Sequence, residues 1–442
     1  MDDKDKLNLV AKLIDSKTQN RYFKEFTDVL YNDFLEFSNA DNHLANETKL
    51  FLNLKAIEKE LGVISAYPDL YNKNIIAVGG GFSSGKSEFI SSFLQTSLKL
   101  PIGVVPTTAI PTFVIENDDN KVLAISFKNT NIEVDKEFHK KLSHNFISSF
   151  GFNLKELMPF MIIASKMKYD KICFLDTPGY NPADSSESFT EEDVNTSKEF
   201  LQNSNTLIWL IGLDSNGTIS SSDLEFLEAL ELENKDLFIV LNKADLKPKD
   251  DLEDIIQSVC EYLDDDDINF SGVSAFSSTM QEEFVYEKKS LLEFLDNKNI
   301  NSIKYDEISN KLKNIYCAYK YALIKKEKEN EAQYSYIKSI LLDMMENSDD
   351  ESIAYDKIQK LQANFKLNNP NERIKKLDRV FEKLQSKIDG IFSKKANFNF
   401  EELDIGEIEI DFEASKKEDQ FETVEDKDFL IDELNDCINS LK

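Results

Sequence analysis

The eight residues from Gly80 to Ser87 read GGFSSGKS, and no other stretch narrows the possible folds of this chain so far. They match GxxxxGK[ST], directly after the strand-like run IIAVG and directly before the helix-like run SEFISSFL. That strand–loop–helix setting is the context the motif requires. Glycines let a backbone close around phosphate, while loop N–H groups and a helix N-terminus supply positive potential. Lys86 is expected to reach the β- and γ-phosphates, and the Ser87 hydroxyl to ligate Mg2+. Gly80, Gly81, Phe82, Ser83, Ser84 and Gly85 complete the expected phosphate loop. A chance glycine-rich turn is the competing explanation. It is disfavoured because the chain has only 13 glycines in 442 residues and the flanks are right.

Two further motifs follow in the order such a site demands. Asp176-Thr177-Pro178-Gly179 ends the apolar run ICFL. Asp176 is placed to hold Mg2+ through water, and the Gly179 N–H to sense the γ-phosphate. Asn242-Lys243-Ala244-Asp245 ends the run LFIVL. Guanine offers two donors, N1–H and N2–H2, that one carboxylate such as Asp245 can accept together; adenine lacks the pair. The tetrapeptide therefore predicts GTP and GDP over ATP. The Lys243 stem can lie along the purine, Asn242 can tie the loop to its neighbours, and Ser274-Ala275 is expected to close over the base. In the segment PIGVVPTTAIPT, residues 101 to 112, a threonine should cover the γ-phosphate and complete the Mg2+ shell. Thr107 and Thr108 compete for that role, with Thr108 preferred.

The texture around these motifs sets the fold class. Residues 3 to about 62 carry apolar residues at helical spacing, with a turn expected from Asn39 to Asn46. From Asn74 to about 275, short apolar runs alternate with helical patterns. That predicts an α/β P-loop domain with a mostly parallel sheet covered by helices. TFVIENDDNKVLAISF reads as a hairpin turning at Asp118-Asp119-Asn120, and MPFMIIA as a core helix. Helical texture returns after about 300. Ile303 to Asn347 predicts one helix of roughly 65 Å, and Asn368-Asn369-Pro370 a break before a last helix ending near Phe392. From 401 to 442 there are 16 acidic and 4 basic residues, with Ile408, Ile410 and Phe412 at strand-like spacing before a short amphipathic helix.

Composition excludes several function classes. A formal net charge of -30 repels nucleic-acid phosphates and anionic headgroups, so no nucleic-acid partner is expected. Cys173, Cys260, Cys317 and Cys437 are dispersed, which suits a reducing cytosol. His43, His139 and His144 have no metal-ligand spacing. The N-terminus lacks a secretory signal, and no apolar run approaches the ~20 residues of a bilayer span. A cytoplasmic location is expected.

The combination VGGGFSSGKS, VVPTTAIPT, DTPGYN and LNKADL resembles the dynamin superfamily, in particular its bacterial dynamin-like members. The resemblance covers roughly residues 71 to 300. It implies a helical neck segment at 1–70, a dynamin-type GTPase domain at 71–300, a helical stalk or bundle at 301–395 and an acidic tail at 396–442. It also implies hydrolysis of GTP to GDP and phosphate, activated when G domains dimerise and move the flanking helices. The chain's only arginines are Arg21, Arg373 and Arg379, so the domain itself has no arginine finger. In that family the P-loop serine and a monovalent cation, K+ or Na+, stand in for the finger. By position the serine is Ser83, with Thr108 helping to place the attacking water and Lys86 acting on the phosphates. One departure is Phe82, where eukaryotic dynamins carry Gln; another is Tyr180-Asn181 after DTPG in place of any Gln. The partners implied are a second copy or a related GTPase, with membrane remodelling and peripheral contact at the inner face of a membrane through a partner. The alternative is a GTP-gated scaffold of slow turnover that recruits a protein partner.

Overall fold

The computed structural model describes residues 3–18, 20–39, 44, 47–101, 110–135, 150, 152–179, 191–202, 204–213, 218–230, 232, 235–346, 357, 360 and 370–403. Thr107, Thr108, Tyr180, Asn181, most of the expected turn at 40–46 and the tail from 404 lie outside them. Two compact units emerge. One holds Met1–Arg21 with Lys59–Tyr305, and the other Tyr22–Glu58 with Asp306–Lys442.

The first unit is built on β1 (Asn74–Gly80), β2 (Thr112–Ile115), β3 (Lys121–Ile125), β4 (Asn131–Val134), β5 (Phe160–Ala164), β6 (Ile172–Asp176), β7 (Thr206–Gly212), β8 (Asp236–Asn242), β9 (Gly272–Ser277) and β10 (Glu282–Glu287). They form one sheet of order β10-β9-β8-β7-β1-β6-β2-β5-β3-β4. From β9 through β6 every neighbouring pair is parallel. Such strands are buried on both faces, which explains their near-continuous apolar runs. Alternation still sorts the side chains. Ile76 and Val78 join a core with Leu9, Leu13, Phe89, Phe174 and Phe294, while Ala77 joins the opposite core with Trp209, Leu227 and Val259. The first face is covered by α1 (Asp3–Asp15), Lys86–Ser92 and Leu291–Lys298, which explains why the first unit includes residues 1–21.

Two expectations need correction. β2 and β3 do not pair as a hairpin: β5 lies between them, parallel to β2 and antiparallel to β3. Antiparallel pairing does enter the sheet, through β2 with β6, β3 with β4 and β5, and β9 with β10. The displaced helix is the cause. Phe160–Ala164 is a fully buried strand, and its five apolar residues with paired Ile162 and Ile163 gain more from a central position than a short helix would.

The second unit is helical. Its elements include the helix Arg21–Asp28 from Tyr22 on, a π-helical turn at Val29–Phe34, Leu35–Asn39, the long helix Lys304–Glu346 (43 residues) from Asp306 on, and Pro370–Phe392. Phe34 stacks on Phe51 at 5.9 Å and meets Tyr319 edge-on at 5.5 Å. Lys383 and Lys387 pair with Asp33 and Glu25. The Tyr316 hydroxyl lies 2.6 Å from Asp378 Oδ1 and 2.7 Å from the Phe400 carbonyl, under the Phe400 ring. Among the described residues no helix is long and apolar enough to cross a membrane.

Candidate nucleotide site

Ligands of open α/β sheets sit beyond the carboxyl ends of the strands, where the strand order switches direction. β1 is flanked by β6 on one side and β7 on the other, and its carboxyl end is Gly80. Two glycines make the turn that follows possible. Gly80 has φ 135°, and a Cβ there would lie 2.3 Å from the Leu210 carbonyl oxygen. Gly85 has φ 84°, and a Cβ there would lie 2.5 Å from Asn242 Nδ2. Between them Phe82–Ser84 forms a single 3-10 turn, and the helix Lys86–Ser92 starts at once.

Lys86 is buried and donates to the carbonyls of Gly80 (3.0 Å) and Gly81 (2.9 Å). Burial lowers its pKa to about 8, while the carboxylates of Asp176 and Asp223 oppose that fall. The Ser87 hydroxyl donates to Asp176 Oδ2 at 2.8 Å, so the loop and the end of β6 bring two hard oxygen donors together. That donor set suits Mg2+, which binds few protein oxygens and takes the rest of its shell from water and phosphate. Thr177 fastens the segment by donating to the Val78 carbonyl at 2.8 Å, and Ser197 donates to the Pro178 carbonyl at 2.8 Å. Gly179 lies so close to the loop that a Cβ would stand 2.9 Å from Phe82 Cα. Ser83 is exposed on the loop.

β8 delivers the second cluster. Asn242, fully buried, donates from Nδ2 to the Ser84 carbonyl at 2.9 Å. Its Oδ1 accepts from the Ser278 hydroxyl at 2.7 Å and the Ser278 N–H at 3.3 Å. Lys243, held at φ 66°, donates to the Ser83 carbonyl at 2.9 Å. Asp245 is exposed, with Oδ1 accepting from the Ser277 hydroxyl at 2.6 Å. The structure thus joins Gly80–Ser87, Asp176–Gly179 and Asn242–Asp245 at one end of the sheet.

Ser274 and Ala275 fall elsewhere. Both are buried inside β9, and the Ser274 hydroxyl donates to Glu283 Oε1 at 2.5 Å. The residues that reach Asn242 and Asp245 are Ser277 and Ser278, three positions further on. The sequence held a signal for them. The apolar run continues through Phe276, so the polar run Ser277-Ser278-Thr279 marks the true strand end.

A sequence model of the Dynamin family matches residues 76–245, the span from β1 to Asp245. An uncharacterized protein in the xynA 3' region of Caldicellulosiruptor sp. (strain Rt8B.4) is 25% identical over 242 residues, 54% of this chain. The chain spans 56% of that relative's length. Among solved structures, one of an oligomerised bacterial dynamin pair, described as sensing and tethering membranes, aligns with 78% of this chain and 54% of its own at 19% identity, with a TM-score of 0.43. Aquifex aeolicus Era bound to GDP.AlF4- aligns with 56% of this chain and 68% of its own at 15% identity, with a TM-score of 0.31.

Proposed function

We propose that this chain, whose residues 76–245 match the Dynamin family model, is a dynamin-like GTPase that converts GTP and water to GDP and phosphate. The observation that carries the reading is the meeting of three loops at the end of β1. Lys86 on the phosphate side and Asp245 on the base side are bridged by Asn242 and Lys243, which bond to the loop carbonyls of Ser84 and Ser83. A protein that used the loop for any nucleoside triphosphate would not need that second cluster fixed to the first.

In this reading Lys86 leaves the Gly80 and Gly81 carbonyls and turns its ammonium to the β- and γ-phosphates. Ser87 and Asp176 would hold Mg2+, which supplies charge neutralisation at the transferring phosphoryl group. The Gly179 N–H donates to the γ-phosphate, and its missing side chain is what permits the approach. Asp245 accepts N1–H and N2–H2 of guanine. Ser83 stands on the exposed shoulder of the loop, open to a K+ or Na+ ion and to a second G domain. No arginine lies between residues 71 and 300, so charge compensation from within the domain falls to Lys86 and such an ion.

The supporting experiment is phosphate release from GTP and from ATP by the purified protein with Mg2+, in K+, Na+ and a large organic cation. Turnover of GTP alone, dependent on K+ or Na+ and lost in Lys86→Ala, supports the reading. Equal turnover of ATP refutes it. Nucleotide-dependent pairing with a second copy or a related GTPase, and membrane contact made through that partner, belong to the same proposal. Co-sedimentation with liposomes, with and without GTP, tests the last.

A further inference from the structure

Trp209, the only tryptophan of the chain, lies fully buried in β7 beside the phosphate loop. Its six-membered ring covers Gly79: a Cβ on that glycine would stand 2.7 Å from both Cε3 and Cζ3. The next residue, Gly80, meets the carbonyl of the next residue of β7, Leu210. The last two residues of β1 therefore rest against Trp209 and Leu210, immediately before the chain turns into Gly81–Gly85.

The ring does not hold itself in place. Its Nε1–H donates at 3.0 Å to Oδ1 of Asp223, a buried carboxylate in the helix Ser221–Glu228. The other carboxylate oxygen is also engaged. Oδ2 accepts from the Ser220 hydroxyl at 2.6 Å and the Ser220 N–H at 3.3 Å, while the Ser220 hydroxyl accepts from the Asp223 N–H at 3.1 Å. This reciprocal cap fixes the carboxylate from below. Phe226 supports the indole from the same helix, ring centroids 5.5 Å apart. An apolar residue at 209 would fill the core as well. A tryptophan whose single polar atom is spent on a buried carboxylate sets an orientation, because an indole N–H left unpaired there is costly.

We infer that Asp223 is a positioning residue for the phosphate loop, acting through Trp209, whose ring it fixes over Gly79. The inference rests on the reading of Gly80–Ser87 as that loop. With the ring held, the Gly79–Gly80 end of β1 keeps the one direction that aims the loop N–H groups at phosphate. With the ring released, β1 gains room at Gly79 and the loop loses its alignment. A purely structural role, capping one helix and filling the core, would change the melting temperature and leave nucleotide affinity alone.

The test titrates GDP into the full chain by calorimetry, far below the melting midpoint of each variant, with Trp209 emission followed in parallel. In the wild type, GDP should alter Trp209 emission although the indole does not face the site. Asp223→Ala should weaken GDP at least tenfold and shift the emission. Asp223→Asn, which keeps an oxygen for the indole N–H, should stay within about threefold of wild type. Trp209→Phe should weaken GDP at least threefold while circular dichroism shows a folded protein, and it keeps the test alive if Asp223→Ala does not fold. Wild-type affinity in folded Asp223→Ala or in Trp209→Phe overturns the inference. So does Asn as weak as Ala, because charge and not orientation would then be acting. If wild-type protein binds no GDP at all, the GTPase reading itself fails and this inference with it.

Discussion

Replacing Asp245 by Asn should move the base preference from guanine toward xanthine, and the structure says which way the new amide will face. Asp245 Oδ1 accepts a hydrogen from the Ser277 hydroxyl at 2.6 Å. In Asp245→Asn the amide oxygen keeps that bond, which turns Nδ2 toward the base. Guanine presents donors there, so a donor meets donors and two charge-assisted hydrogen bonds disappear. At roughly 1.5–3 kcal/mol each the loss is about 3–6 kcal/mol. That corresponds to roughly a hundredfold to ten-thousandfold weaker GTP binding. Xanthine carries an acceptor in place of the N2 donors and should regain much of the difference. Removing the hydroxyl as well, with Ser277→Ala in the Asp245→Asn background, frees the amide to flip and should narrow the gap between the two bases. Competition of GTP and XTP against a fluorescent guanine nucleotide measures all three proteins. Unchanged GTP affinity in Asp245→Asn would refute both the base assignment and the role given to Ser277.

Lys86→Ala should abolish GTP turnover and weaken GTP by at least tenfold, read by phosphate release and by the same competition. The wild-type protein should show a pH effect at this residue. Its folded-state pKa, about 8, lies below the ordinary 10.5, so between those values the unfolded chain binds the proton and the folded chain does not. Stability from this group therefore rises with pH across that window, by roughly 3 kcal/mol in full. GDP affinity should fall across the same window, as the neutral amine no longer attracts phosphate; constant affinity from pH 7 to 10 would contradict this. In the helical unit, Tyr316→Phe removes the hydroxyl shared by Asp378 and the Phe400 carbonyl, and should cost about 1–3 kcal/mol in urea unfolding.

Much of the site was legible because its chemistry is local. Gly80 and Gly85 are needed by backbone angles of their own, and Asp176 and Asn242 close apolar runs that can only be strands. What escaped depended on partners far along the chain. Nothing near Phe160 says that its strand will insert between β2 and β3; that follows from which edges stay open once the sheet forms. Ser274-Ala275 and Ser277-Ser278 fit a short pattern equally well, and only the extent of β9 puts Ser277, its last residue, beside Asp245 while Ser274 stays inside the strand. Asp223 completes the capping box of its helix with Ser220, and its contact with Trp209, fourteen residues earlier on β7, cannot be read from local spacing. The first 70 residues read as one helical segment because spacing shows where helices are, and not which core each one joins. Leu9 and Leu13 join the sheet core, whereas Phe23 to Phe37 belong to the other unit.

The most direct test of the account is GTP turnover per molecule measured against protein concentration in K+, beside ATP as a control. GTP should be hydrolysed and ATP not, with a rate per molecule that climbs as concentration rises and G domains pair. A rate indifferent to both concentration and cation, or ATP hydrolysed as fast as GTP, would contradict it.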